Sequence, residues 1–319
     1  GYDSITVDAP AGWVAVRLGD PAVQVSVADL ASSDAWDIAF DATSVMLNGG
    51  DAGPGGVTGY CICQNAGATD DALTHMTPAS ELADFAGVTS AQAPSDPSAW
   101  QHDSVSTVID GWWAYDATSH VVSAVPGKVW ALRTWAGAPF VKFHVTSLTG
   151  STQTSAGTVH VEFAVQPAIG AGMGAPQTAE IVAPSDGSPV YFDFASNSSS
   201  TDSSAHAWDI AIQGYTIRVN GGVSGPGQAG AVPMDAAFDD ITSVDDVPEV
   251  AYKADAFGGV FAASKWYRYN LEGHHQIWPT YDVYLIKRGE VVYKVQITGY
   301  YSATGAARHI TFRYAPLAS

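Results

Sequence analysis

The residues of this chain that could do chemistry are few, and most of them are metal ligands by type. Nine histidines and two cysteines stand among 319 residues. Imidazole nitrogen and thiolate sulfur suit borderline and soft metals. Cys61-Ile62-Cys63 would place both sulfurs on one side of a strand. There they could join two further ligands on a metal, remain buried thiols, or close a short disulfide. His75-Met76 and His102 lie in a stretch with no counterpart elsewhere in the chain. His120 and His274 each follow an aromatic cluster. As turn residues, they would bond to backbone ahead of the next strand. His144, His160 and His309 fall on the polar phase of alternating segments, which suits solvated rings or, for His160 and His309, a bond to a neighbouring strand.

Catalytic signatures are missing from the sequence. It has no Gly-x-Ser-x-Gly elbow, no phosphate-binding Walker loop, no dinucleotide fingerprint and no His-Glu-x-x-His. The segments running from Asn48-Gly49-Gly50 and Asn220-Gly221-Gly222 to Gly-Pro-Gly lack the Lys-Ser/Thr that a phosphate cradle needs. Pairs such as Asp70-Asp71, Asp239-Asp240 and Asp245-Asp246 do not form a calcium loop and read as solvated surface. The expectation is a protein that is not an enzyme.

The elements that position these residues come in two copies. Trp36-Asp37-Ile38-Ala39-Phe40 returns as Trp208-Asp209-Ile210-Ala211-Ile212. Asn-Gly-Gly and Gly-Pro-Gly follow each at the same spacing, an offset of 172 throughout. Further on, Trp112-Trp113-Ala114-Tyr115 faces Trp266-Tyr267-Arg268-Tyr269 at an offset of 154, which also pairs His120 with His274. Two copies in tandem follow. The expected division is a first domain at 1–169, with a longer middle insertion, a glycine-rich linker at 170–184 and a second domain at 185–319. Segments such as Phe140 to Val145 and Tyr281 to Ile286 alternate and are rich in β-branched and aromatic residues. Helix is expected only near Pro78 to Phe85 and Asp235 to Phe238. The fold class is all-β, a β-sandwich-like unit present twice. Asp37 and Asp209 are expected to anchor the Asn-Gly-Gly turns through backbone N–H groups.

Composition narrows the partners. Thirty-two acidic residues against 13 basic ones give a formal net charge of -19. Nucleic acid and anionic membrane surfaces are poor partners for such a chain. No apolar run is long enough for a transmembrane helix. The scarcity of lysine and the two cysteines fit an exported protein.

The repeated Trp-Asp-Ile-Ala-Phe, Asn-Gly-Gly with Gly-Pro-Gly, and the closing block from Tyr281 to Tyr314 with His309-Ile310-Thr311-Phe312 resemble the HmuY family. That family comprises exported, β-rich haem-binding proteins of bacterial outer surfaces. The resemblance implies a haemophore-like protein at the outer membrane or in the periplasm, passing haem to an outer-membrane receptor or another surface protein. Haem iron requires a nitrogen or sulfur ligand and an apolar slot. His75 and His102 are the preferred iron ligands, with Met76 as a sulfur alternative and His120 as a further candidate. Trp100, Phe85 and Trp112 would line the slot. The competing reading is a β-rich structural or interaction subunit that keeps the scaffold and binds no haem.

Overall fold

The computed structural model describes residues 1–9 and 11–318. Its strands fall where β-branched and aromatic residues alternate, and they assemble into two similar antiparallel sandwiches, each in its own compact unit. One unit comprises Gly1–Ser104 with Phe257–Ser319, the other Val105–Ala256.

In the first unit a five-stranded sheet runs in the order Asp3–Asp8, Ala307–Pro316, Val291–Tyr301, Val283–Arg288, Thr58–Cys61. A four-stranded sheet, Val23–Val25, Val14–Arg17, Ile38–Asp41, Ser44–Leu47, packs on it. Val16, Ile38, Phe40 and Leu47 meet Ile286, Val295, Ile310 and Phe312 in the core between them. The second unit repeats the plan. Its five strands are Gln177–Val182, Thr158–Gln166, Phe140–Thr149, Val129–Arg133 and Gly230–Met234. Its four are Ser198–Ser200, Val190–Asp193, Ile210–Gln213 and Thr216–Val219.

These units cut across the two sequence copies. The division expected at 170–184, between 1–169 and 185–319, falls inside the second unit. Backbone pairing is the reason. Asp3–Asp8 finds its partner in Ala307–Pro316, and Thr58–Cys61 in Val283–Arg288. In the other unit Val129–Arg133 pairs with Gly230–Met234, and Thr158–Gln166 with Gln177–Val182. Each sandwich therefore joins the first half of one copy to the second half of the other.

The outer face of each five-stranded sheet is also covered. Phe85, Val88 and Leu82 lie over Val283 and Leu285 in the first unit, and Phe238, Ile241 and Val244 over Val129 and Ala131 in the second. Lys142, Lys294 and Gln296, on the polar phase of their strands, are consequently buried. The Lys294 ammonium donates to the Ala86 and Val88 carbonyls, and Lys142 to that of Phe238. Burial pushes both lysines below their ordinary pKa. Two short helices precede this cover in the first unit, α1 (Asp70–His75) and α2 (Leu82–Gly87). The helix expected at 78–85 begins later because Thr77 and Ser80 bond each other's backbone N–H groups and close a turn first. The second expected helix is a single 3₁₀ turn, Phe238–Asp240.

The repeated motif is an asparagine held inside a wrap of chain. Asn48 Nδ2 donates to the Trp36 and Ser33 carbonyls, and its Oδ1 accepts from Gly55 N–H. Asn220 does the same with Trp208, His206 and Gly227. A Cβ at Gly53 would collide with Asn48 Oδ1, and one at Gly225 would collide with Asn220 Oδ1. Gly-Pro-Gly is glycine-rich because backbone must pass this close to an amide. The turns are not anchored by Asp37 and Asp209 side chains as expected. Those carboxylates accept from Leu18 and Phe194 N–H across the sheet. Asp103 and Asp255 serve the turns instead, taking Leu47 and Val219 N–H. The two copies neutralise the motif aspartate differently. Arg288 and Arg17 meet Asp37, whereas Asp209 has a second backbone donor, Trp135 N–H.

Two outcomes follow. A fragment spanning 105–256 holds a complete sandwich and should fold as a monomer, whereas 1–169 should not, as circular dichroism and size-exclusion chromatography would show. A cooperative, monomeric 1–169 would contradict the exchanged pairing. Stability should also fall as pH rises from about 4 to about 7. Burial raises Asp103 to about 7 and Asp209 to about 6, so over that window the native chain holds protons that the unfolded chain has released. Asp103→Asn, which keeps the acceptor for Leu47, should remove on the order of 3 kcal/mol of that slope in urea titrations. An unchanged slope would refute the assignment.

Candidate binding cleft

The second unit holds an open cleft of about 820 Å³, within the range of small-molecule sites. Its floor is a ring pair, Trp113 and Tyr215, with centroids 4.5 Å apart. Val121, Val122 and Leu148 supply apolar wall, and Tyr115 and His120 stand at the hairpin tip. The strands Trp113–Asp116 and Val121–Ala124 form that hairpin, with Trp113 opposite Ala124 and Tyr115 opposite Val122.

Local sequence explains the tip. Asp116 accepts from Thr118 and Ser119 N–H, an Asx turn that holds its carboxyl below the usual range. The chain then reverses through His120 at φ 58°, and its N–H donates to the Asp116 carbonyl. This left-handed backbone is uncommon outside glycine, with histidine among the more tolerant residues. The conformation brings His120 Nδ1 to 2.6 Å from the Tyr115 hydroxyl. Nδ1 is thereby engaged, and Nε2 remains as the ring's other nitrogen. Opposite, the Tyr215 hydroxyl donates to the Thr152 carbonyl at 2.5 Å and fixes the 149–155 loop as the far wall. No Lys, Arg, Asp or Glu lines the cleft. A charged substituent on a ligand would have to face water.

The other candidate ligands are distributed elsewhere. His75 ends α1, exposed, with Nδ1 bonded to the Asp71 carbonyl at 2.7 Å. Met76 is the half-buried cap of the same helix. His102 is exposed and lies against Gly50 of the first Asn-Gly-Gly turn. None of the three lines the cleft, while His120 does. Phe85 and Trp112, expected in a slot, are fully buried core. Trp100 packs on Tyr60. His144 stacks on Phe238 and pairs with Glu162, so it is held rather than solvated. His160 and His309 face Glu180 and Asp8 on the adjoining strands, as a neighbouring-strand bond requires. Cys61 and Cys63 form a disulfide, which takes the thiolates from a metal even though Asp282 lies close by.

Sequence reasoning missed Tyr215 and Leu148. Tyr215 is Thr43 at the matching position of the other copy, so the repeat alignment contains the substitution but not its meaning. The alignment also paired His120 with His274. In the structure the matching ring is His275, whose Nδ1 lies 2.7 Å from the Tyr269 hydroxyl, at φ 57°.

Two further hollows offer less chemistry. One of about 370 Å³ beside Trp13 and Leu30 has no titratable lining. One of about 300 Å³ is lined by Arg17 and Arg288, and both are already spent on Asp37.

The HmuY protein family matches residues 187–314. The similarity is distant and partial. The match lies in the second copy and so runs from one compact unit into the other. Solved structures with similarity include a Bacteroides fragilis protein assigned as a lipoprotein, 20% identical over 40% of this chain and 80% of its own, TM-score 0.18. A Bacteroides vulgatus protein assigned as HmuY-like and haem-binding is 19% identical over 40% of this chain and 83% of its own, TM-score 0.17. The apo HmuY analogue of Tannerella forsythia is 12% identical over 69% of this chain and 97% of its own, TM-score 0.18. No curated protein matches significantly. The resemblance to this non-catalytic family supports a chain that is not an enzyme. Among the described residues, no helix is long and apolar enough to cross a membrane.

If Tyr115 positions the imidazole, Tyr115→Phe should weaken any metal-containing ligand of the cleft about 10-fold, the usual cost of losing an outer partner of a ligating histidine. Equal affinity in the variant, measured by titration, would remove tyrosine from that role.

Proposed function

We propose that this chain is a non-enzymatic, exported haem-binding protein that receives the macrocycle in the Trp113–Tyr215 cleft, with His120 presenting Nε2 to the iron. The cleft carries this reading, since it combines an aromatic floor, an apolar wall and an imidazole whose other nitrogen is already held. That donor set fits iron porphyrin, which needs a nitrogen ligand and a broad apolar contact. The lining lacks basic groups, so the propionates would remain in solvent at the open side. Bound haem would supply an iron centre, which the His120 imidazole would hold. The chain's own part is to orient that ring through Tyr115 and to exclude water from the porphyrin faces with Trp113, Tyr215 and Leu148.

Release to an outer-membrane receptor or another surface protein suits an open cleft. The distant HmuY resemblance, together with the lipoprotein assignment of one similar protein, favours the cell surface or periplasm. His75, His102 and Met76 remain a separate candidate set around α1 and the first Asn-Gly-Gly turn.

Haemin titration of the full chain tests the reading. A saturable, sharp Soret band is expected, reduced in His120→Ala and unchanged in the His75→Ala/His102→Ala double variant. A broad, non-saturating spectrum would overturn haem binding and leave a scaffold that serves a macromolecular partner. Loss confined to the double variant would move the site away from the cleft.

A further inference from the structure

Cys61, Cys63 and Asp282 bring their ligand atoms within 4.8 Å of one another, the one such group of histidine, cysteine and carboxylate side chains among the described residues. Strand register builds it. Cys61 ends the strand Thr58–Cys61 opposite Tyr284, and the chain beyond stays on the same neighbour. Ile62 N–H donates to the Val283 carbonyl, the Gln64 amide bonds both Tyr281 and Val283, and Asn65 N–H donates to the Asp282 carboxylate at 2.9 Å. These bonds hold 61–65 against 281–284 without help from the disulfide. A bridge between residues two apart closes so short a loop that it restrains the unfolded chain little. Its reduction therefore leaves both cysteines where the ladder puts them. Cys63 is held at φ 54°, a costly left-handed backbone of the kind that collects at binding sites.

Asp282 is a second, independent observation. It is 6% exposed, and among the ion pairs of the described residues it has none. Arg268, whose charge reaches it, is bonded to Asp70 at 2.8 Å. A buried carboxylate without its own cation is costly. The second unit lacks all three groups together. Trp130 stands opposite Pro233 there as Tyr284 stands opposite Cys61. That register puts Pro233 and Asp235 at the cysteine positions and Lys128 at that of Asp282. The sulfurs and the carboxylate are present as a set in one copy and replaced as a set in the other.

We infer that the reduced form of this cluster is a Zn2+ site, with the Cys61 and Cys63 thiolates and the Asp282 carboxylate as ligands and water in the fourth position. Two thiolates and a carboxylate oxygen suit zinc. Around tetrahedral zinc the sulfurs stand about 3.8 Å apart. Side chains with Cα atoms 5.0 Å apart can reach that separation by rotation about χ1. Both cysteines are half-buried, so a small dithiol can reach the bond. The dithiol cleaves the S–S bond, becomes a disulfide itself and passes its two protons to the freed sulfurs. Zn2+ then bonds both sulfurs, and those protons leave to solvent. The oxidised chain has no thiolate to offer, so metal uptake is gated by redox state.

The test uses the full chain, reduced with a dithiol and desalted without oxygen, beside the untreated chain. Titration with Zn2+ against a chromophoric chelator should show one tight equivalent in the reduced chain and none in the oxidised one. Circular dichroism should not change on reduction, and bound zinc should protect both thiols from alkylation. Cys61→Ser/Cys63→Ser should lose the tight equivalent. Asp282→Asn keeps the acceptor for Asn65 and should weaken uptake by at least about 10-fold, since even a hydrogen-bonded partner of a ligand is worth that much. Equal uptake by oxidised and reduced chains would assign the metal to histidines and overturn the site. Reduction that unfolds the chain, or uptake indifferent to Asp282→Asn, would overturn it as well.

Discussion

A strand buried in a sheet must have its N–H and C=O groups met by a neighbour, and in this protein that neighbour repeatedly comes from the other sequence copy. Asp3–Asp8 against Ala307–Pro316 and Val129–Arg133 against Gly230–Met234 are the pairings on which the rest depends. They bring the two halves of each sandwich core together, including the stacked Phe40 and Phe312 at 5.3 Å. They also decide what the outer faces meet. A single copy taken alone would leave strand edges and apolar faces without partners, which is a large penalty on backbone groups and apolar area alike.

Duplication lets the halves diverge while the frame is kept. The frame is the set of features present in both units: an amide wrapped by Gly-Pro-Gly, an aspartate bonded across the sheet, a second aspartate serving the turn, and a lysine capping carbonyls of the covering segment. These groups are buried and satisfied by directional bonds, so replacing any one leaves a polar partner unpaired. Freedom lies elsewhere. Arg17 and Arg288 meet Asp37, whereas Asp209 relies on backbone. Tyr215 builds a floor where the other copy has Thr43. The covering segment is long and helical in one unit and short in the other.

The hairpin tips join frame and divergence. Their strands are set by register, but their histidines sit on exposed loops whose conformation is imposed by nearby carboxyl and amide groups. That combination, a rigid base with a positioned polar tip, is how loops commonly acquire ligands. The disulfide at Cys61–Cys63 and the ion pairs of His160 and His309 are by contrast local fastenings, each tying residues already brought together by a strand edge or ladder.

The repeated motifs and the strand periods were sufficient to read an all-β duplicated fold, because turn residues and alternation are local properties. The place of His120 after an aromatic cluster could also be seen there. The exchange of halves could not. Identical motifs in both copies are equally satisfied by pairing within a copy or between copies, and only tertiary structure chooses between them. The same ambiguity misaligned His274 with His120, since a one-residue loop insertion is invisible until the ring's hydroxyl partner is found. His75 and His102 stood out because they lie outside the repeat, while their side-chain directions come from the tertiary structure. The cleft itself is made by residues from three separate stretches, at 113–122, 148–153 and 215. Their convergence follows from how the sheets fold together, and no local pattern encodes it.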